Sequence, residues 1–434
     1  MKYYRIITLG CKVNTYESMA MAEQLEEIGY RQATTEEPDL ILINTCTVTG
    51  VSDAKSRQMI NREHRKHPKA ILVVAGCYSQ LASEVVSKLR GVKIVIGTQY
   101  RKDIASLVQE YEQKGEVLIR IDDSLKITSY EPLKVTSYND NTRAFLKIQD
   151  GCNNFCSFCI IPYARGPMRS RPKEDIIEEA QRLVVNGFKE LVLTGIHTAA
   201  YGSDLKDYNF TDLLKELLQV LPKDMRIRIS SIEESEISDE FIDLLTIDKR
   251  IVPHLHIPLQ SGSNSVLKRM NRRYNCEEFA QKIKRIREKL PLISISTDVI
   301  VGFPMESEAE FNETYNFIKK LNFSFLHVFP YSKRLGTKAA QMEGQIEPDI
   351  KKKRVQILRS LSIELAKNYA LNFVGQSLDV LFESLDSSKQ KMLGYSPNYL
   401  RVAVKANQKY LNEIKEVIIV ESGYPHCYGQ IKEE

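Results

Sequence analysis

Gly151-Cys152-Asn153-Asn154-Phe155-Cys156-Ser157-Phe158-Cys159 places three thiols within eight residues, at offsets of four and three. A reducing compartment keeps such thiols free, and clustered cysteines there point to metal binding or catalysis. A structural zinc site closes with four ligands, yet no fourth Cys or His lies within thirty residues on either side. A cubane iron–sulfur cluster is also held by thiolates, normally four of them. Three cysteines would leave one iron without a protein ligand and open to a substrate.

The surrounding chain has room for two or three domains in its 434 residues. Hydrophobic residues make up 43% and charged residues 27%, ordinary for a soluble globular protein. The net charge of +5 permits a nucleic-acid partner without requiring one. The opening Met1-Lys2-Tyr3-Tyr4-Arg5 does not read as a signal peptide. No apolar run approaches the roughly 18 residues a membrane helix needs, so the expectation is a cytoplasmic protein with no membrane partner. Eight cysteines are too few and too scattered for a disulfide scaffold of this length. Cys276 and Cys427 have no partner at useful spacing and receive no role.

Residues 1 to 114 alternate strand and helix patterns. Apolar runs at Arg5–Leu9, Leu40–Ile43, Ala70–Ala75 and Lys93–Ile96 are each followed by a helical stretch. Asn14 is placed to cap the first helix, and a helix is expected from Ser79 to Gly91. The pattern predicts a parallel sheet covered on both faces. Its first three strands end in cysteine, at Leu9-Gly10-Cys11, Asn44-Thr45-Cys46 and Ala75-Gly76-Cys77, about one βα repeat apart. Strand carboxyl ends of an open parallel sheet share one edge. Cys11, Cys46 and Cys77 are therefore expected to converge as a second, three-thiol cluster site.

Residues 115 to 142 read as a polar linker, ending near Asn139-Asp140-Asn141. A new βα series occupies 143 to 370, with strand candidates at Phe145–Ile148, Leu191–Thr194, Arg226–Ser230, His254–Leu259, Ile293–Val301 and Phe325–Phe329. In barrels of this kind active groups collect where strands end, and the three-cysteine loop directly follows the first strand. Thr194, Gly195, Ser231, Glu233, Gln260 and Asp298 sit at such ends and are candidate cofactor contacts. His254 and His256 share the lumen-facing side of their strand by period two, opposite Leu255, Ile257 and Leu259. Arg165, Arg169 and Arg171 follow the cysteine loop and suit oxyanions such as phosphate. Residues 371 to 434 change to β periodicity, five short strands that suggest a small barrel. There Tyr395, Tyr399 and Arg401 offer stacking and charge for single-stranded RNA. The fold class is thus α/β multidomain: a parallel α/β cluster domain, a central six-unit partial barrel and a small β-barrel.

The C-x₃-C-x-aromatic-C loop resembles the radical S-adenosylmethionine (SAM) superfamily. Leu9-Gly10-Cys11-Lys12-Val13-Asn14, Asn44-Thr45-Cys46-Thr47-Val48, Gly76-Cys77-Tyr78, Gly302-Phe303-Pro304 and Tyr331-Ser332-Lys333-Arg334 extend the resemblance to the radical SAM methylthiotransferases, over nearly the whole chain. Within them Phe158-Cys159-Ile160-Ile161-Pro162-Tyr163-Ala164-Arg165-Gly166 and Thr194-Gly195-Ile196-His197 look like the branch acting on N6-threonylcarbamoyladenosine. Met305-Glu306-Ser307 stands where the family usually has Gly-Glu-Thr.

The resemblance implies a central (βα)6 TIM-like barrel, a C-terminal TRAM domain and two 4Fe–4S clusters with three Cys ligands each. SAM would chelate the open iron beside Cys152, Cys156 and Cys159, with Phe158 near its adenine. One SAM would methylate a sulfur held at Cys11, Cys46 and Cys77, and a second would supply the radical that functionalises carbon 2 of adenosine 37. Arg165, Arg169, Arg171, Arg334, Tyr395 and Arg401 would hold the tRNA anticodon stem-loop. An electron donor and a sulfur donor are the other implied partners. A sister specificity, for isopentenyladenosine or a ribosomal-protein aspartate, and a non-catalytic RNA-binding iron–sulfur or zinc protein are the alternatives.

Overall fold

The computed structural model describes residues 1–136, 142–386, 388 and 390–432. Asn139-Asp140-Asn141 of the expected linker lie outside the described residues. The first sheet is parallel throughout, with β1 (Lys2–Thr8), β2 (Tyr30–Gln32), β3 (Leu40–Thr45), β4 (Ile71–Gly76), β5 (Val92–Ile96) and β6 (Leu118–Arg120) in the order β2-β1-β3-β4-β5-β6. Alternation divides its apolar residues between two cores. Leu40, Leu42, Val73 and Ile94 pack with Met21 and Leu25 on one face, while Ile41, Ile43, Leu72 and Val74 pack with Ile60 and Tyr78 on the other. The short edge strands β2 and β6 escape the sequence reading because three residues carry no visible period. Two short helices, Cys77–Leu81 and Ser83–Ser87, replace the single helix expected after Ser79.

The central strands are β7 (Arg143–Lys147), β8 (Glu190–Thr194), β9 (Arg226–Ile229), β10 (His254–His256), β11 (Ser294–Val301) and β12 (Phe325–Pro330). They form two parallel halves, β9-β8-β7 and β10-β11-β12, joined where Ile227 bridges Ile251. Leu255, Ile257 and Leu259 enter the apolar core, and His256 Nδ1 lies 3.0 Å from Ser296 Oγ on the opposite side. The long helix Pro348–Leu371 leads into β13 (Ser377–Asp386), β14 (Lys391–Tyr395), β15 (Arg401–Lys405), β16 (Ile414–Glu421) and β17 (Cys427–Ile431). These close into a barrel, β13-β14-β15-β17-β16, which leaves no free edge. Cys427 packs inside that barrel and Cys276 inside the central core.

A buried ion network joins the first sheet domain to the central barrel. Lys147 Nζ donates to Glu17 Oε1 at 2.8 Å and to Asp150 Oδ2 at 2.7 Å. Arg165 Nη1 reaches Glu17 Oε1 at 2.7 Å and Asp150 Oδ1 at 3.0 Å. Arg101 pairs with Glu17 and, from Nε at 2.7 Å, with Glu131 of the connecting segment. Three cations meet three carboxylates, all buried. Unpaired, each charge would cost several kcal/mol; the balance makes the interface geometry specific.

Candidate active site

The strand order β1-β3-β4 puts the carboxyl ends of three neighbouring strands side by side, and the thiols of Cys11, Cys46 and Cys77 follow them. Gly10 carries φ +117°, and a Cβ there would lie 2.9 Å from Cys46 Cβ. The loop can pass this close only without a side chain. Asn14 does not cap the first helix, which starts at Lys12 after Cys11. Its Nδ2 instead donates to Leu9 O at 2.8 Å and Thr45 O at 3.0 Å, tying the Cys11 and Cys46 loops together. Its Oδ1 accepts from Cys11 Sγ at 3.6 Å and from Arg165 Nη2 at 3.1 Å. Burial pushes the Cys77 thiol up to about 12, with Cys46 and Cys11 adding to it. Burial also raises Cys46. Changing Gly10 to Ala should cost about 1–3 kcal/mol of backbone strain. Iron analysis should then show selective loss from this site, with SAM cleavage retained.

The second triad sits on the loop after β7. Gly151 has φ +75°, and a Cβ there would fall 1.9 Å from Pro167 O. Cys159 N donates to Cys156 O at 2.9 Å, folding the loop into a turn that gathers its thiols. Burial pushes Cys159 up to about 12 and raises Cys156. Two cationic side chains attend these sulfurs. Arg272 Nη1 lies 3.4 Å from Cys156 Sγ and the same guanidinium pairs with Glu233. His197 Nδ1 lies 3.9 Å from Cys152 Sγ and its Nε2 3.1 Å from Glu236 Oε1. Burial pulls His197 down, but Cys152 and Glu236 outweigh it and carry it up to about 10. Spacing left Arg272 unassigned and His197 only part of a motif, because their partners lie 116 and 39 residues away.

The donor sets fit polynuclear iron better than a single ion. Ligands on one zinc lie within about 4 Å of each other. Among the described residues the group of three drawn within 4.8 Å is His256, Asp298 and His327, and neither thiol triad is gathered so tightly. Three thiols per site, each requiring deprotonation to bind metal and two of each three raised by burial, Cys46 and Cys77 in one, Cys156 and Cys159 in the other, suit a wider core whose positive charge reverses that penalty.

The two triads are neighbours. Helix Cys77–Leu81 packs against helix Ile161–Arg165, which begins two residues after Cys159. Arg165 Nε donates to Cys77 Sγ at 3.2 Å. The expected cofactor contacts take varied places. Thr194 is buried at the end of β8, and Gly195 abuts Gln149, whose Oε1 would lie 2.8 Å from an added Cβ. Ser231 and Phe158 are half-buried. Glu233 is held by Arg272 as above, Asp298 Oδ1 lies 3.3 Å from His256 Nε2, and Gln260 adopts φ +66° beside Asp298.

Four of the arginines expected to hold RNA are buried and bound by the protein itself. Arg165 serves the interface network. Arg169 donates to Pro167 O at 2.5 Å and Arg165 O at 3.0 Å. Arg171 pairs with Glu179 Oε2 at 2.8 Å and donates to Tyr16. Arg334 meets Asp53 Oδ2 and Thr47 Oγ1, both at 2.6 Å, clasping the first domain to the barrel. Position along the sequence showed their charge but not the carboxylates that meet them. Arg401 is exposed and Tyr395 half-buried. Met305 adopts φ +61°, a conformation that suits the glycine usual at this position.

Residues 146–318 match the radical SAM superfamily, and residues 3–97 match the uncharacterized protein family UPF0004. A threonylcarbamoyladenosine tRNA methylthiotransferase of Bacillus subtilis is 48% identical over 98% of this chain and 95% of its own length. The chain belongs to the radical SAM methylthiotransferase family. An Aquifex aeolicus relative with the same description is 39% identical over 86% of this chain and 91% of its own. A tRNA-2-methylthio-N(6)-dimethylallyladenosine synthase of Caldicellulosiruptor saccharolyticus is 34% identical over 99% and 92%. A solved radical SAM methyltransferase, TsrM from Kitasatospora setae, superposes with a TM-score of 0.55 at 15% identity, covering 76% of this chain and 73% of that one, which shows a shared fold. Methylthiotransferases of this family are transferases that use two 4Fe–4S clusters and SAM, and the two thiol triads fit that requirement. No helix among the described residues is long and apolar enough to cross a membrane.

Proposed function

We propose that this methylthiotransferase adds a methylthio group to carbon 2 of N6-threonylcarbamoyladenosine at position 37 of tRNA. The observation that carries the reading is the adjacency of the two thiol triads through Arg165, together with relatives of that described activity. The clusters and SAM supply the radical and the methylated sulfur when bound. The chain's own residues hold and aim them. Cys11, Cys46 and Cys77 grip one core and Cys152, Cys156 and Cys159 the other. Phe158, Thr194, Gly195, Ser231, Glu233, Gln260 and Asp298 surround the SAM position at the strand ends. The anticodon stem-loop lies against the C-terminal barrel, where Tyr395 and Arg401 serve stacking and phosphate contact. An electron donor and a sulfur donor complete the cycle in the cytoplasm. The functional units are residues 1–114, 143–370 and 371–434, with 115–142 connecting the first two.

The test is nucleoside mass analysis of tRNA incubated with reconstituted enzyme, SAM, a reductant and sulfide. The expected product is the methylthio derivative of threonylcarbamoyladenosine. A methylthio-isopentenyl product with the threonylcarbamoyl nucleoside unchanged would overturn the reading. Iron incorporation without 5′-deoxyadenosine formation would reject the enzyme altogether.

A further inference from the structure

The strands β10, β11 and β12 are adjacent and parallel, and their alternation sends successive side chains to opposite faces. Leu255, Ile295, Val299, Leu326 and Val328 enter the apolar core. His256, Asp298 and His327 therefore share the other face, toward the lumen. Register brings them together. His256 is level with Ser296, two residues before Asp298, and Asp298 is level with His327. One ligand atom from each lies within 4.8 Å of the other two. His256 Nε2 is 3.3 Å from Asp298 Oδ1, and the two imidazole rings meet edge to face with centroids 5.5 Å apart. None of the three is a sequence neighbour of either thiol triad.

The nitrogen of His256 away from Asp298 is already engaged. Its Nδ1 lies 3.0 Å from Ser296 Oγ, and that hydroxyl lies 3.4 Å from Nε2 of the buried His254. With Nδ1–H donating to the serine, Nε2 presents its lone pair to a carboxylate oxygen. Two electron-rich atoms so close repel unless a proton or a cation sits between them. Metal-binding imidazoles are ordinarily fixed in this way, through the nitrogen that does not touch the ion. His327 makes no hydrogen bond or ion pair among the described residues, and it is exposed. Its ring can turn to close the 4.8 Å limit of the group to the span of about 4 Å that one ion imposes.

We propose that His256, Asp298 and His327 bind a divalent transition-metal ion, separate from the two iron–sulfur clusters. Two imidazoles and one carboxylate suit zinc and the other divalent first-row ions, whereas calcium and magnesium prefer oxygen donors throughout. Three protein ligands on one side leave the remaining positions open toward the lumen, for water or an oxygen of a bound substrate. Asp298 enters the set through Oδ1, the oxygen paired with His256. Because Asp298 also borders the SAM position proposed above, the decisive readout is metal binding and not turnover.

The test dialyses the reconstituted enzyme, both clusters in place, anaerobically against zinc and counts iron and zinc. The parent should hold one zinc per chain in addition to its cluster irons. X-ray absorption at the zinc edge should show nitrogen and oxygen at about 2.0–2.2 Å and no sulfur near ~2.3 Å, which distinguishes this site from zinc held by a thiol triad. Ser296→Ala, which leaves the His256 ring unanchored, should weaken zinc binding about tenfold, and His327→Ala or Asp298→Ala by more than that. Iron content and unfolding midpoint equal to the parent's are the check on folding, and the exposed His327 is the position least coupled to the core. Zinc bound through sulfur, or no zinc beyond the clusters, overturns the proposal. So does zinc binding unchanged in His327→Ala and Asp298→Ala, the mark of an adventitious ion only. None of these results alters the substrate reading above.

Discussion

With Cys77 changed to serine, reconstitution should deliver about four irons per chain in place of about eight, the content of one cubane cluster and of two. Methylthiolated nucleoside should fall at least about 100-fold, a loss of some 2.7 kcal/mol or more in transition-state terms. SAM should still be cleaved to 5′-deoxyadenosine. The reason is the division of the proposed ligands between two folding units. Cys77 opens a helix at the end of β4, in a sheet whose two cores are its own. Cys152, Cys156 and Cys159 depend on the loop after β7 and on Arg272 and His197. Serine preserves the helix start and its small volume, so the domain should fold while the sulfur donor is lost. Changing Cys159 to serine should give the reciprocal result: about four irons again, but neither SAM cleavage nor product. Eight irons retained in the Cys77 variant would remove Cys77 from the ligand set.

The division between what sequence conveys and what it hides follows from distance along the chain. The proposed Cys152, Cys156 and Cys159 site is local, so spacing alone suggests it. The Cys11, Cys46 and Cys77 site is not local, but each thiol occupies the same position in a βα repeat, and the parallel-sheet rule brings the repeats to one edge. The closed C-terminal barrel was legible from alternation. The arginines were misread because a guanidinium has no periodicity that reveals its partner. Arg165 meets Glu17 and Asp150, and Arg171 meets Glu179. One signal was present: Glu17 lies on the buried stripe of helix Lys12–Glu27 with Val13, Tyr16 and Ala20. A carboxylate among core positions requires a buried cation. That reasoning would have directed attention from RNA to an interface before any coordinates.

Replacing Arg165 with Met should destabilise the chain by about 3–5 kcal/mol, the range for breaking a buried ion pair from one side. It should also weaken iron loading at Cys77, which loses its Nε donor. The network is balanced, three cations to three carboxylates, so the variant leaves one carboxylate uncompensated. Burial by itself would raise Glu17 and Asp150. For Glu17 the charges of Arg101, Arg165 and Lys147 outweigh it, and for Asp150 those of Arg165, Lys147, Arg169 and Arg101. Both carboxyls are therefore held well below their ordinary values. A carboxyl depressed in the folded state contributes stability fully above its unfolded value, near pH 4, and loses it as pH falls further. Denaturant unfolding should accordingly find the parent holding its stability down to about pH 4 and losing it steeply below. The Met variant should start lower at pH 7 and fall less over the same window, so the gap between them narrows toward acid. Adding Asp150→Asn to Arg165→Met removes one charge of each sign. The double variant should be more stable than Arg165→Met alone, a coupling expected only of residues in direct contact. Additive losses would mean that Arg165 acts through packing or through Cys77, and not through the charge balance that joins the two cluster-bearing domains.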